Sequence, residues 1–141
     1  MNSLMGLQGL VDSGLFVLIW LVQLVIYPSF RVVEEKKIRA WHNRYCALMG
    51  CIAAPLMLIQ VAIEVLMLES QIRWVRLIAI ALIWLVTFSL SVSSHQRLQK
   101  NGRDIEAITR LIRTNWIRTF LWSLLFWQTG AQFLGRDLFF Q

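Results

Sequence analysis

The residues of this sequence best equipped for chemistry are its two histidines, His42 and His95, since imidazole can ligate a metal or haem iron, shuttle a proton or orient a substrate. Tyr27, Tyr45, Asn115 and Arg118 offer the hydroxyl, amide and guanidinium donors that such a site needs, provided that the fold gathers them. The plain alternative is that histidines at a membrane interface cap helix ends or meet headgroups. A second signal is Glu64, a carboxylate inside an apolar run, which is costly there unless protonated or paired. Its natural partner is Arg76, with Arg73 second. As structure this intramembrane pair pins a hairpin; as function, Glu64 with Gln60 can carry a proton or bind a cation. The nearness of the basic partner favours structure. Cys46 and Cys51 are about 140° apart on a helix and match no redox or zinc pattern, so they read as small core residues.

These side chains must be positioned by helices in lipid. The chain has 141 residues, one domain's worth, with 57% hydrophobic content and a mean hydropathy of +0.59, which excludes an ordinary soluble domain. A net charge of +6 would suit nucleic acid, but the basic residues lie between apolar runs rather than along a soluble face, so no nucleic-acid partner is expected. A bilayer core about 30 Å thick needs roughly 20 apolar residues per helix. Four stretches meet that length, at about 10–30, 45–68, 74–94 and 115–134. No Lys or Arg precedes Arg31, so the first lacks the charged start of a secretory signal and counts as a span.

Basic residues fall five between Arg31 and Arg44, two at Arg73 and Arg76, six between Arg97 and Arg118, and one at Arg136. Since Lys and Arg stay on the cytoplasmic face, the expected fold is an all-α, integral-membrane four-helix bundle of a bacterial-type inner membrane, with both termini outside. Trp41, Trp74, Trp116 and Trp127 flank the span ends, as amphipathic indoles do. In the third connector Asn101-Gly102 is a turn signal and Asp104 an N-cap. Ile105, Ile108, Leu111 and Ile112 then predict a short amphipathic helix on the cytoplasmic surface, leading into the fourth span. No function is assigned to Leu138-Phe139-Phe140-Gln141.

Helical spacing defines the inward faces. In the second span Met49, Ala53, Gln60 and Glu64 lie within about 40° of His42, and Tyr45 and Met57 about 60° away. Ser13, Phe16, Trp20, Gln23 and Tyr27 share an arc in the first span, Thr87, Ser91, Ser94 and His95 in the third, and Asn115, Arg118, Trp122, Phe126 and Thr129 in the fourth. Alternating helix direction then puts Tyr27, His42, Tyr45, His95, Asn115 and Arg118 at one level near the cytoplasmic leaflet. Arg118 is also close enough to the surface to snorkel to it. Trp20, Trp84 and Trp122 lie deeper, filling space or lining a cavity.

The segments Tyr27-Pro28-Ser29-Phe30, Ser94-His95-Gln96-Arg97-Leu98 and Asn115-Trp116-Ile117-Arg118-Thr119-Phe120-Leu121-Trp122 resemble small bacterial four-span membrane proteins of uncharacterised function. They are distantly similar to the anthrone-oxygenase-like membrane family. That resemblance implies the four-span fold and an oxygenase or isomerase of aromatic, hydrophobic substrates, with His95, Asn115 and Arg118 carried over.

Two functional readings follow. One is a membrane enzyme or cofactor protein whose cytoplasmic-leaflet pocket handles a hydrophobic small molecule, or holds haem or another metal through His42 and His95. The other is a non-catalytic subunit or assembly factor that docks another membrane protein or a second copy of itself. A proton or ion pathway through Glu64 and Gln60 ranks last, because apolar rows fill the mid-membrane. Hydrolase triads, phosphate loops and carboxylate-rich divalent sites are absent from the sequence.

Overall fold

A computed structural model describes residues 2–68 and 71–139 and is helical outside short turns, with no strand among the described residues. Four long helices alternate in direction. Helix α1 runs over Asn2–Leu21, passes through a π-helical turn at Val22–Ile26 and closes at Tyr27–Ser29. Helix α2 spans Ile38–Leu66. Helix α3 runs over Gln71–Val86, passes through a second π-turn at Thr87–Ser91 and continues over Val92–Asn101. Helix α4 is unbroken over Ile105–Phe139. Phe140 and Gln141, the end of the segment given no function above, lie outside the described residues.

Three stretches are long and apolar enough to cross a membrane: Ser3–Ser29, Ile38–Leu66 and Arg73–Asn101. The sequence reading counts four. Helix α4 is longer than any of these, but Asn115, Arg118, Thr119, Gln128, Thr129 and Gln132 interrupt its apolar run, and each of these is at least partly buried by its neighbours. Leu, Ile, Phe and Trp side chains cover the outer faces of all four helices.

The helices outrun the apolar stretches at the basic end, which shortens the connectors. In place of a third connector of about 20 residues, α3 reaches Asn101 and α4 begins at Ile105. Gly102 makes the reversal at φ +79°, where a side chain is strained, and the Asp104 carboxylate caps α4 by accepting from the Ala107 N–H at 2.9 Å. The amphipathic segment that opens α4 does not lay its apolar stripe on a membrane surface. Ala107, Ile108 and Leu111 are fully buried against Val22, Phe30, Ile38 and Leu98, and only Ile105 points outward. Packing against three helices covers that stripe more completely than a headgroup layer would.

A second apolar cluster, including Val11, Leu15, Ile19, Met57, Ile83, Trp122 and Leu125, fills the bundle's middle. It separates two polar networks, one at each end. Between helices in lipid there is little hydrophobic driving force, so packing and polar bonds of this kind must hold the bundle together.

Candidate functional site

The network at the basic end draws on all four helices: Gln23 and Tyr27 from α1, His42, Tyr45 and Cys46 from α2, Thr87, Ser91 and His95 from α3, and Asn115 and Arg118 from α4. The two π-turns aim its aromatic members. An α-helix continued from the buried Gln8 at about 100° per residue would put Ile26 on the inward row and Tyr27 about 100° off it. The π-turn, closed by the Tyr27 N–H on the Val22 carbonyl, takes up one extra residue, and Tyr27 is buried. His95 stands to Arg76 as Tyr27 stands to Gln8, and the second π-turn, closed by Val92 N–H on the Thr87 carbonyl, corrects it in the same way. The inward row of α1 is therefore Gln8, Asp12, Leu15, Ile19, Gln23 and Tyr27, whereas Ser13, Phe16 and Trp20 of the expected arc are half-buried.

Arg118 organises the site and does not snorkel to the surface. It is 7% exposed, donates through Nη2 to Tyr27 Oη at 3.1 Å and to Asn115 Oδ1, and donates through Nη1 to Thr87 Oγ1 at 3.3 Å. Tyr27 Oη lies 3.2 Å from His95 Nε2, and His95 Nδ1 lies 2.8 Å from His42 Nε2. Because guanidinium can only donate, the arrangement that uses every group has the Tyr27 hydroxyl donating to His95 and the His95 Nδ1–H donating to His42. Asn115 Nδ2 donates to Gln23 Oε1 at 2.8 Å, and Gln23 Nε2 to the Ile112 carbonyl at 3.2 Å, tying α1 to α4. The Tyr45 ring stacks on Trp41 with centroids 5.9 Å apart and stands 6.2 Å from the His95 ring.

These groups wall a cavity of about 400 Å³. Its floor is apolar, from Leu18, Ile19, Met49, Met57 and Trp122, and its polar wall is Tyr27, His95 and Arg118. Lining residues Gly50 of α2 and Val92 and Gln96 of α3 are exposed, so the cavity opens sideways between α2 and α3. Arg118 Nε and Ser91 Oγ are buried beside it without a hydrogen-bond partner, and no carboxylate pairs with Arg118 among the described residues. An uncompensated buried cation at an apolar cavity favours an electronegative ligand atom.

A haem held between the two imidazoles does not fit this geometry. Two axial nitrogens on opposite faces of an iron are separated by about twice a metal–nitrogen bond, roughly 4 Å, whereas these face each other at 2.8 Å. Nor are the cysteines both core residues. Cys51 is exposed on the outer face of α2, and Cys46 lies with its Sγ 3.6 Å from His42 Nε2 and 3.7 Å from His95 Nδ1. The i, i+4 spacing of His42 and Cys46 was the available signal, since it puts both on one helix face.

At the opposite end Arg76 donates through Nε to Glu64 Oε1 and through Nη2 to Asp12 Oδ2, both at 2.6 Å. Arg73 Nη1 reaches Glu64 Oε2 at 3.1 Å and Gln8 Oε1 at 2.8 Å. Gln60 Nε2 donates to Asp12 Oδ1 at 2.7 Å, and the Thr129 hydroxyl donates to Asp12 Oδ2 at 2.6 Å. The expected Glu64–Arg76 pair is thus half of a larger network with two carboxylates and two guanidiniums, net charge zero. Asp12 carried the same warning as Glu64, a lone carboxylate in an apolar helix, but it falls just outside the arc that Ser13, Phe16, Trp20, Gln23 and Tyr27 share.

No protein-family model, no curated protein and no solved structure matches this chain.

Proposed function

We propose that this chain is a four-span protein of a bacterial-type inner membrane, with both termini outside, that takes an apolar small molecule carrying an electronegative oxygen into a pocket in the cytoplasmic leaflet. The single observation that carries the reading is the buried, carboxylate-free Arg118 at the wall of an apolar cavity open to the side. Such an opening faces lipid and admits a ligand from the bilayer. Helix α4 serves as the fourth span because its polar residues point at neighbouring helices and leave lipid to Ile117, Phe120, Leu124 and Trp127. Exposed Arg31, Lys36, Lys37, Arg39, Lys100, Arg103, Arg110 and Arg113 gather at one end, while Arg73 and Arg76 at the other are neutralised by carboxylates, which supports that orientation.

The chemistry that this wall suits is isomerising or redox. With a carbonyl oxygen on Arg118, loss of an adjacent proton to the Tyr27–His95–His42 chain leaves an enolate that the guanidinium stabilises, and the same proton returns at another position. An aromatic, hydrophobic substrate agrees with the class that the sequence resemblance implies. The competing reading, a docking subunit, rests on the aligned, exposed Trp116, Phe120 and Trp127 of α4.

Mass spectrometry of small molecules released from protein purified in lipid nanodiscs tests the proposal. A bound apolar, oxygen-bearing species should accompany the wild type and be lost from Arg118→Gln, with the fold retained by circular dichroism. A ligand-free wild type that co-purifies with a stoichiometric membrane protein would favour docking. Labelling of a cysteine placed at Lys100 from outside the cell would overturn the orientation.

A further inference from the structure

Cys46 plays no part in the proton chain, yet its sulfur sits over the contact between the two imidazoles. We infer that His42, Cys46 and His95 form a three-coordinate site for a monovalent thiophilic metal ion, Cu(I). The inference does not draw on the ligand proposed above, and it places a second chemical function on the same wall.

The geometry is nearly formed. His42 Nε2, Cys46 Sγ and His95 Nδ1 all lie within 4.8 Å of one another, with separations of 2.8 Å between the nitrogens and 3.6 and 3.7 Å from sulfur to each. An ion about 2.0 Å from each nitrogen and about 2.3 Å from sulfur, at angles between tetrahedral and trigonal, needs nitrogens about 3.3–3.5 Å apart and sulfur about 3.5–3.7 Å from each. The sulfur distances already meet this. Only the imidazoles must part, by about half an ångström, into the cavity that Cys46 and His95 line.

Ligand type and charge select the ion. Two imidazoles and a thiolate, with Met49 one helical turn from Cys46 and lining the same cavity, and no carboxylate in the cluster, form a soft set. Cu(I) displaces the thiol proton, so an ion of charge +1 enters and one proton leaves, and the buried site gains no net charge. A divalent ion would add one positive charge to a site that already holds Arg118 without a carboxylate, which burial disfavours. His95 must then carry its proton on Nε2, where Tyr27 Oη accepts it at 3.2 Å, and that bond holds the ring with Nδ1 toward the metal.

The test is anaerobic titration of full-length protein in nanodiscs with Cu(I) held by a competing chelator. One equivalent should bind with release of one proton, and X-ray absorption should show two nitrogens and one sulfur around copper. Cys46→Ser and His95→Asn should each weaken binding by more than about a hundredfold, Tyr27→Phe by about tenfold, and Cys51→Ser not at all. In the wild type, where no substitution disturbs folding, Cu(I) should protect Cys46 from maleimide while Cys51 reacts as before. No uptake by the wild type, equal affinity in Cys46→Ser, or unprotected Cys46 at saturation would overturn the site, and tighter binding of Zn(II) than of Cu(I) would overturn the choice of ion.

Discussion

Arg76 and Asp12, 64 residues apart in sequence, join α3 to α1 through a 2.6 Å ion pair that no solvent reaches. Glu64 holds the same guanidinium from α2, and Thr129 and the Leu125 carbonyl accept from it on α4, so one side chain bonds to the other three helices.

That position makes Arg76 costly to remove, because its loss leaves buried charge uncompensated. Arg76→Gln strands two buried carboxylates and should cost about 3–5 kcal/mol, read as a shift in the denaturant midpoint of detergent-solubilised protein. Arg73→Gln, which leaves Glu64 and Asp12 both paired to Arg76, should cost clearly less. Equal losses would show that the two arginines share the role.

Tyr27→Phe removes the only hydroxyl that links Arg118 to His95. The expected loss is about 1–3 kcal/mol, the cost of buried donors left unsatisfied. Nitrogen-15 NMR of labelled histidine supplies a second readout: the wild type should show His95 protonated at Nδ1, and the variant a mixture of tautomers. A variant with the wild-type tautomer would show that the hydroxyl does not set the proton's place.

At the α3–α4 turn, the Ala107 amide first, and Arg97 after it, hold the Asp104 carboxyl below the usual carboxylate range against partial burial. A depressed folded value means that its stabilisation is complete above the ordinary carboxylate range of about 3.9 and is lost as pH falls through the folded value. Asp104→Ala should therefore be less stable than the wild type by about 1 kcal/mol near neutral pH, with the gap closing only in strong acid. A gap that closes between pH 7 and pH 5 would assign the effect to another group.

Much of this arrangement was legible before any coordinates. Apolar length marked the helices, Gly102 and Asp104 marked a turn, and helix alternation put Tyr27, His42, Tyr45, His95, Asn115 and Arg118 at one level, where the structure joins all but Tyr45 by hydrogen bonds and sets the Tyr45 ring beside His95. What escaped were the features that depend on register. An ideal wheel has no place for an inserted residue, so Ser13 stood where Asp12 belongs, and Cys46 was judged by its distance to Cys51 rather than to His42. The opening of α4 escaped for another reason: a stripe of Ile and Leu reads the same whether lipid or other helices cover it.

The two wide turns in α1 and α3 make the site's aim depend on residue count as much as on residue type. Deleting Leu24 or Leu90 would remove the extra residue and let a regular α-helix carry the phenol or the imidazole on the inward row, whereas inserting a further residue there would swing it out of alignment with its partner. A single-codon insertion can thus dismantle the Tyr27–His95 link, and a single-codon deletion keep it without the wide turn, while every ligand-bearing residue is kept.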